Sequence, residues 1–164
     1  GFGLPVPLIV DLFQQIEPFQ SIKIEVVPAG IKYSEVLQAT HGELHVTGGW
    51  AVSQMIEALD RGVHALMPTG MHALYTRIYA LYSAGERSRA QDLFYRMLPI
   101  LAFSNQHLDI SIHFFKRLLY RQGFYRTDRV RQPIQPFDPF HARIADELID
   151  LVIMLTEQIE DAHT

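Results

Sequence analysis

Ser21-Ile22-Lys23-Ile24-Glu25-Val26-Val27, closed by Pro28 and Gly30, is the stretch on which the reading of this chain turns. It is short, rich in β-branched residues and bounded by turn formers, which is the pattern of a strand. Upstream, Leu8, Ile9, Leu12, Phe13 and Ile16 recur at helical spacing behind Pro7, which suits a helix start, and Pro18 ends that helix. Downstream, residues 31–41 return to helical spacing, and Glu43-Leu44-His45-Val46-Thr47 forms a second strand running into Gly48-Gly49. Residues 51–61 place Val52, Met55, Ile56 and Leu59 on one helical face, with Gly62 just past the end. Val63 to Pro68 is the third strand. Strands that alternate with helices in this way imply parallel β/α units.

After Gly70 the spacing is helical throughout, in segments 71–84, 86–103, 108–122 and 139–160, with Gly85 and Gly123 as stops. Pro99 is expected to kink the second of these. A proline-rich coil from Arg131 to Pro139 precedes the last helix. Three strands cannot close a barrel, which takes eight strands and about 250 residues.

The composition narrows the function. The 164 residues are 48 % hydrophobic, with a net charge of −4, as in an ordinary globular chain. Arginine is scattered rather than clustered, so no basic face points to nucleic acid and no polybasic run points to a membrane surface. No apolar run is long enough for a transmembrane helix. Cysteine is absent, which excludes disulfide and thiolate chemistry and is compatible with a reducing compartment. The start, Gly1-Phe2-Gly3-Leu4-Pro5, has no Met and no leader pattern. It reads like a cut through a longer chain, and the expected location is cytoplasmic.

Lys23 is out of keeping with its surroundings. It is one of only three lysines, and it lies between Ile22 and Ile24. Parallel strands covered on both faces are near-continuous hydrophobic runs, so a lysine there is costly unless it is paired or functional. In general, an ammonium in a partly desolvated site titrates lower and is more often the neutral amine. Such an amine attacks a ketone to form an imine, and the protonated imine is an electron sink for carbanion chemistry. The plainer reading is an edge-strand lysine whose stem reaches solvent while the head pairs with Glu25, two residues on and on the same face. From this strand alone both readings stand.

The order of motifs separates them. Ser21-Ile22-Lys23-Ile24-Glu25, His45-Val46-Thr47-Gly48-Gly49 and Arg61-Gly62-Val63-His64-Ala65-Leu66-Met67-Pro68 follow one another as three strand motifs. Then come Tyr82-Ser83-Ala84-Gly85-Glu86 with Ala90, Leu98-Pro99-Ile100, Lys116-Arg117-Leu118-Leu119 with Arg121-Gln122-Gly123, and Arg131-Gln132-Pro133. In this order and spacing the chain resembles the C-terminal half of the dihydrodipicolinate synthase / N-acetylneuraminate lyase family of pyruvate aldolases. The Lys-x-Glu-x-x-Pro form at Lys23, Glu25 and Pro28 resembles a divergent branch of it.

That resemblance implies a partial TIM (β/α)8 barrel, strands six to eight, over residues 1–85, followed by a C-terminal helical extension over residues 86–164. It implies a class I, Schiff-base lyase that joins or cleaves pyruvate (or a related 2-keto acid) and an aldehyde, with Lys23 as the imine-forming amine. Glu25 would face the substrate, Gly48 would offer backbone to the keto acid, and the Met67 main chain would touch the pyruvate part. No metal or organic cofactor is needed, because the lysine is the electron sink. A homo-oligomer is the default for the family.

Two departures matter. Gly49, Trp50 and Ala51 follow Gly48 where the lyases carry acidic residues that bind sugar hydroxyls, which argues against a polyol substrate. Pro68 stands where the family has a last-strand serine. The family's proton-shuttling Tyr and carboxylate-binding loop would precede residue 1, so the half chain alone is expected to be inactive and to expose an apolar seam. The competing reading is a non-catalytic or degenerate homologue kept for assembly or regulation.

Other sites are weaker. The eight histidines (His41, His45, His64, His72, His107, His113, His141 and His163) form neither an HExxH nor a pair at ligand spacing, so no metal site is expected. Gly48-Gly49 before a helix could cradle a phosphate, but no GxGxxG or Walker lysine accompanies it. Tyr75, Tyr79 and Tyr82, and Phe114 and Phe115, have helical spacing and read as core or subunit-contact faces.

Overall fold

The structure, a computed structural model, describes residues 3–49 and 53–161. The chain divides into two compact units, with the boundary between Pro68 and Thr69.

The first unit begins with helix α1 (Val6–Gln15), which has a proline at its start and ends before Pro18. It then alternates β1 (Ser21–Ile24), α2 (Gly30–Ala39), β2 (His45–Gly48), α3 (Met55–Asp60) and β3 (Ala65–Leu66). The three strands form one parallel sheet in the order β1-β2-β3. Ser21, Ile22, Lys23 and Ile24 lie beside His45, Val46, Thr47 and Gly48. The β/α alternation in the sequence is therefore a mixed α/β fold with a small parallel sheet.

Side chains alternate across a strand, so β1 has two unlike faces. Ile22, Ile24 and Val26 pack into a core with Ile9, Tyr33, Val36, Leu44, Val46 and Val63. Lys23 and Glu25 point the other way. On that face the Lys23 side chain is 43 % exposed. The helix-covered core takes the isoleucines, and period two puts the lysine opposite them.

The third strand is shorter than residues 63–68, because only Ala65 and Leu66 are laddered. Its entry is made partly by a side chain. His64 N–H donates to the Val46 carbonyl at 3.0 Å, while the His64 ring Nδ1 accepts the Val46 N–H at 3.0 Å. A ring nitrogen thus stands in for a main-chain acceptor where the pairing starts.

The second unit is helical: α4 (His72–Ser83), α5 (Arg87–Ser104), α6 (Leu108–Arg121) and α7 (Pro139–Asp161). Gly70, at φ +67°, is required where the chain enters it, because a Cβ there would stand 2.8 Å from the Phe115 ring. Helix α5 is continuous through Pro99. His107 caps α6, its side chain accepting the Asp109 N–H at 3.1 Å. In α7 the fully buried residues Ala145, Ile149, Val152 and Leu155 recur every three or four positions and form the core-facing stripe. Arg117 grips Asp146 with two hydrogen bonds of 2.6 and 2.7 Å, and Arg121 reaches Asp150 at 2.7 Å.

The coil between α6 and α7 is fastened along its length. Tyr125 lies under the Lys116 ammonium and Asp128 is near Arg117. Further on, the Gln135 carbonyl lies 3.0 Å from His113 Nε2, the Gln135 N–H donates to Asp109, and Phe137 stacks between His113 and His141. No helix among the described residues is long and apolar enough to cross a membrane.

Candidate active site

Lys23 and Glu25 are brought together by strand geometry alone. Residues two apart share a face, and the Lys23 Nζ and Glu25 Oε2 atoms stand 3.0 Å apart. Neither side chain is deeply buried, at 43 % and 49 % exposed. Thr47 lies beside Lys23 on β2, and Ala65 beside Thr47 on β3, so one row of the sheet carries the lysine, a hydroxyl and a small residue.

Beneath the pair lies Gly49. A Cβ there would stand 2.5 Å from Lys23 Cε and 2.9 Å from Glu25 Cδ. Both side chains therefore lie down on one bare stretch of main chain. Gly49 is itself fixed, because its N–H donates to the Ile24 carbonyl at 3.0 Å.

The other expected site residues are placed nearby in the same unit. Gly48 is buried beside Ile24 at the end of β2, and its carbonyl accepts the Met67 N–H at 3.3 Å. The Met67 side chain is half exposed. So Lys23, Glu25 and Gly49 form the contacting group, and Gly48 and Met67 are joined to each other at the end of the sheet. Trp50 and Ala51 lie outside the described residues.

Two residues escape a reading by sequence. The Gly49 Cα lies where the two charged side chains pass, which no spacing in the sequence shows. Tyr33 is buried on the core side of β1, and its hydroxyl donates to the Ile24 carbonyl at 3.5 Å. Burial, with lesser contributions from the Glu57 and Glu25 carboxylates, pushes that phenol above its ordinary range. It is a fixed donor behind the strand. A cleft of about 430 Å³ runs along the β1 side of the unit, lined by Leu4, Ile22, Lys23, Glu25 and Lys32 among others. The Lys32 ammonium at its rim is bonded to the Leu4 carbonyl.

No protein-family model matches the chain, and no curated protein matches its sequence. Solved structures do match its fold. Dihydrodipicolinate synthase from Rhodopseudomonas palustris superposes with a TM-score of 0.72 at 20 % identity, over 80 % of this chain and 45 % of that one. The 4-hydroxy-tetrahydrodipicolinate synthase from Methylacidiphilum fumariolicum SolV gives 0.78 at 18 % identity, over 96 % of this chain and 52 % of that one. The fold is that of half a dihydrodipicolinate synthase. The Thermotoga maritima dihydrodipicolinate synthase agrees, with a TM-score of 0.75 at 13 % identity over 90 % of this chain and 50 % of that one. This chain thus spans about half the length of the synthases it superposes on. At these identities the likeness concerns fold, and the resemblance expected from the motif order is met at that level.

Proposed function

We propose that this chain is the lysine-bearing half of a Schiff-base aldolase of the dihydrodipicolinate synthase family, with Lys23 as the amine that captures a 2-keto acid. The observation that carries the proposal is Lys23 Nζ held 3.0 Å from the Glu25 carboxylate, with Gly49 beneath the pair. In this reading β1, β2 and β3 are the sixth, seventh and eighth strands of a (β/α)8 barrel within residues 1–85, and residues 86–164 form the helical extension. A lysine near the C-terminal end of such a strand is where barrel enzymes place their chemistry.

The amine adds to the ketone of pyruvate or a related 2-keto acid, and loss of water gives a protonated imine. That cation draws electrons from the adjacent carbon, which loses a proton to become an enamine and then attacks an aldehyde; cleavage is the reverse. Glu25 faces the bound substrate, Gly48 lends backbone to the keto acid, and the Met67 main chain lies along its pyruvate part. The lysine is the electron sink, so the reaction runs without an added cofactor. The working enzyme is proposed to be a cytoplasmic homo-oligomer.

One observation favours the second reading, a non-catalytic homologue kept for assembly or regulation. A lysine 43 % exposed and paired with its own strand neighbour is also what a solvated ion pair looks like. Borohydride reduction of the full protein in the presence of pyruvate, followed by mass mapping, separates the two. The aldolase reading expects a reduced pyruvate adduct on Lys23. An absence of adduct, under conditions that label a known aldolase, removes it.

A further inference from the structure

We propose that Glu25 is the proton carrier of imine formation at Lys23, a catalytic residue that acts on the reacting nitrogen itself. The proposal rests on the aldolase reading above and adds a role to a residue so far placed only as facing the substrate.

Imine formation poses a proton problem that the geometry answers. The lysine enters as an ammonium, which is no nucleophile, and the ketone oxygen must leave as water. With Nζ and Oε2 3.0 Å apart, the carboxylate can take one ammonium proton directly. The freed amine attacks the ketone carbon, forming the C–N bond, and the carbonyl electron pair moves to oxygen. A proton shift from nitrogen to that oxygen gives the neutral carbinolamine. The Glu25 carboxylic acid then returns its proton to the carbinolamine hydroxyl, the C–O bond breaks, water departs, and the nitrogen lone pair forms the C=N bond. The balance closes: ammonium, carboxylate and ketone become iminium, carboxylate and water.

Three features fit this role. Both side chains lie on Gly49, so the pair is held as a unit against the main chain rather than splayed into solvent. Glu25 is 49 % exposed, so it can exchange protons with water between turnovers. Among the described residues, the Tyr33 hydroxyl is committed to the Ile24 carbonyl on the core side and the Lys32 ammonium to the Leu4 carbonyl, while the Thr47 hydroxyl lies 3.5 Å from His45 Nδ1.

The test is the rate at which pyruvate becomes trappable on Lys23, followed by rapid borohydride quench and mass spectrometry across a range of pH. Loss of a general acid–base group slows its step by about 10²-fold or more. Glu25→Gln should slow trapping by about that factor even at high pH, with the adduct still on Lys23 at long times. Added formate should restore part of the rate to Glu25→Ala, and Glu25→Asp should fall between wild type and Gln. If Glu25→Gln reaches the wild-type limiting rate at high pH, the carboxylate acts only through the charge on the lysine; the proposal is overturned and the aldolase reading survives. If Gln fails to fold, a Glu25→Ala variant that traps pyruvate as fast as wild type without formate overturns it as well. If wild type itself gives no adduct, both fall together.

Discussion

Gly49 lies directly under Lys23: a single added carbon on Gly49 would stand 2.5 Å from the lysine Cε. The nearest obstacles are the outer parts of two flexible side chains, Lys23 Cε and, at 2.9 Å, Glu25 Cδ, so the fold absorbs the methyl by moving both. Gly49→Ala should therefore leave the protein folded and displace the amine. Misplacement by about 1 Å costs a reacting group on the order of 10²-fold in rate. The measurement is pyruvate trapping on Lys23 alongside a thermal melt; a variant that melts like wild type and traps at the same rate would mean that Gly49 is not needed to seat the lysine.

His64 should matter to the sheet, whatever the chemistry. Its ring accepts the Val46 N–H where β2 meets β3. His64→Ala leaves that donor without its acceptor, a change worth about 1–3 kcal/mol when the group stays out of water. His64→Asn, which keeps an acceptor at similar reach, should recover part of the loss. Hydrogen exchange at the Val46 amide gives the local readout: it should quicken in Ala and be partly restored in Asn.

The helical unit offers a contrast between neighbours. Ile149 is fully buried in α7, whereas Met154 is 42 % exposed on the same helix. Ile149→Ala should cost about 2–5 kcal/mol through lost contacts and the cavity left behind. Met154→Ala should change stability by no more than about 0.5 kcal/mol. Chemical denaturation of the two variants would show equal losses if the stripe Ala145-Ile149-Val152-Leu155 were not the core-facing side.

Arg117 and Asp146 make stability depend on pH. The Arg117 hydrogen bonds hold the Asp146 carboxyl below its ordinary range against an upward push from burial, with smaller downward contributions from the Arg117 and Arg121 charges. The folded protein thus binds that proton less readily than the unfolded chain. The contribution is complete above the unfolded carboxylate range and is lost as pH falls through the lowered folded value. Both side chains are about one-third exposed, at 32 % and 39 %, so solvent screens the pair. A double-mutant cycle should give about 1 kcal/mol at neutral pH, shrinking toward zero in acid. A coupling that persists unchanged at low pH would contradict the assignment.

The alternation of strands and helices was legible because hydrophobic spacing changes from two to between three and four at each boundary, as from Ile22-Ile24 to Leu8-Leu12 and Ile149-Val152. The Lys23–Glu25 pairing was also legible, since strand period alone puts residues two apart on one face. The degree of exposure of Lys23 was not: a sequence does not say which face of a sheet is covered. The third strand is shorter than its apolar run because main-chain bonds to β2 reach only from His64 to Met67, leaving Val63 and Pro68 outside the pairing. The importance of Gly49 over its neighbour Gly48 depends on where two long side chains lie down, and no spacing rule encodes that.

The two arginine–aspartate clasps have a topological consequence. Arg117 meets Asp146 and Arg121 meets Asp150, so one step of four residues forward on α6 matches one step of four forward on α7. The two helices therefore point the same way, and the chain must travel back to its starting end before the second can begin. The stretch 122–138 is that return leg: it passes Lys116 and Arg117 first and reaches Asp109 and His113 afterwards. It has to run back along the 14 residues of α6, about 21 Å at 1.5 Å each. A proline-rich segment that looks like slack is thus the strap that carries the chain back to where α7 begins.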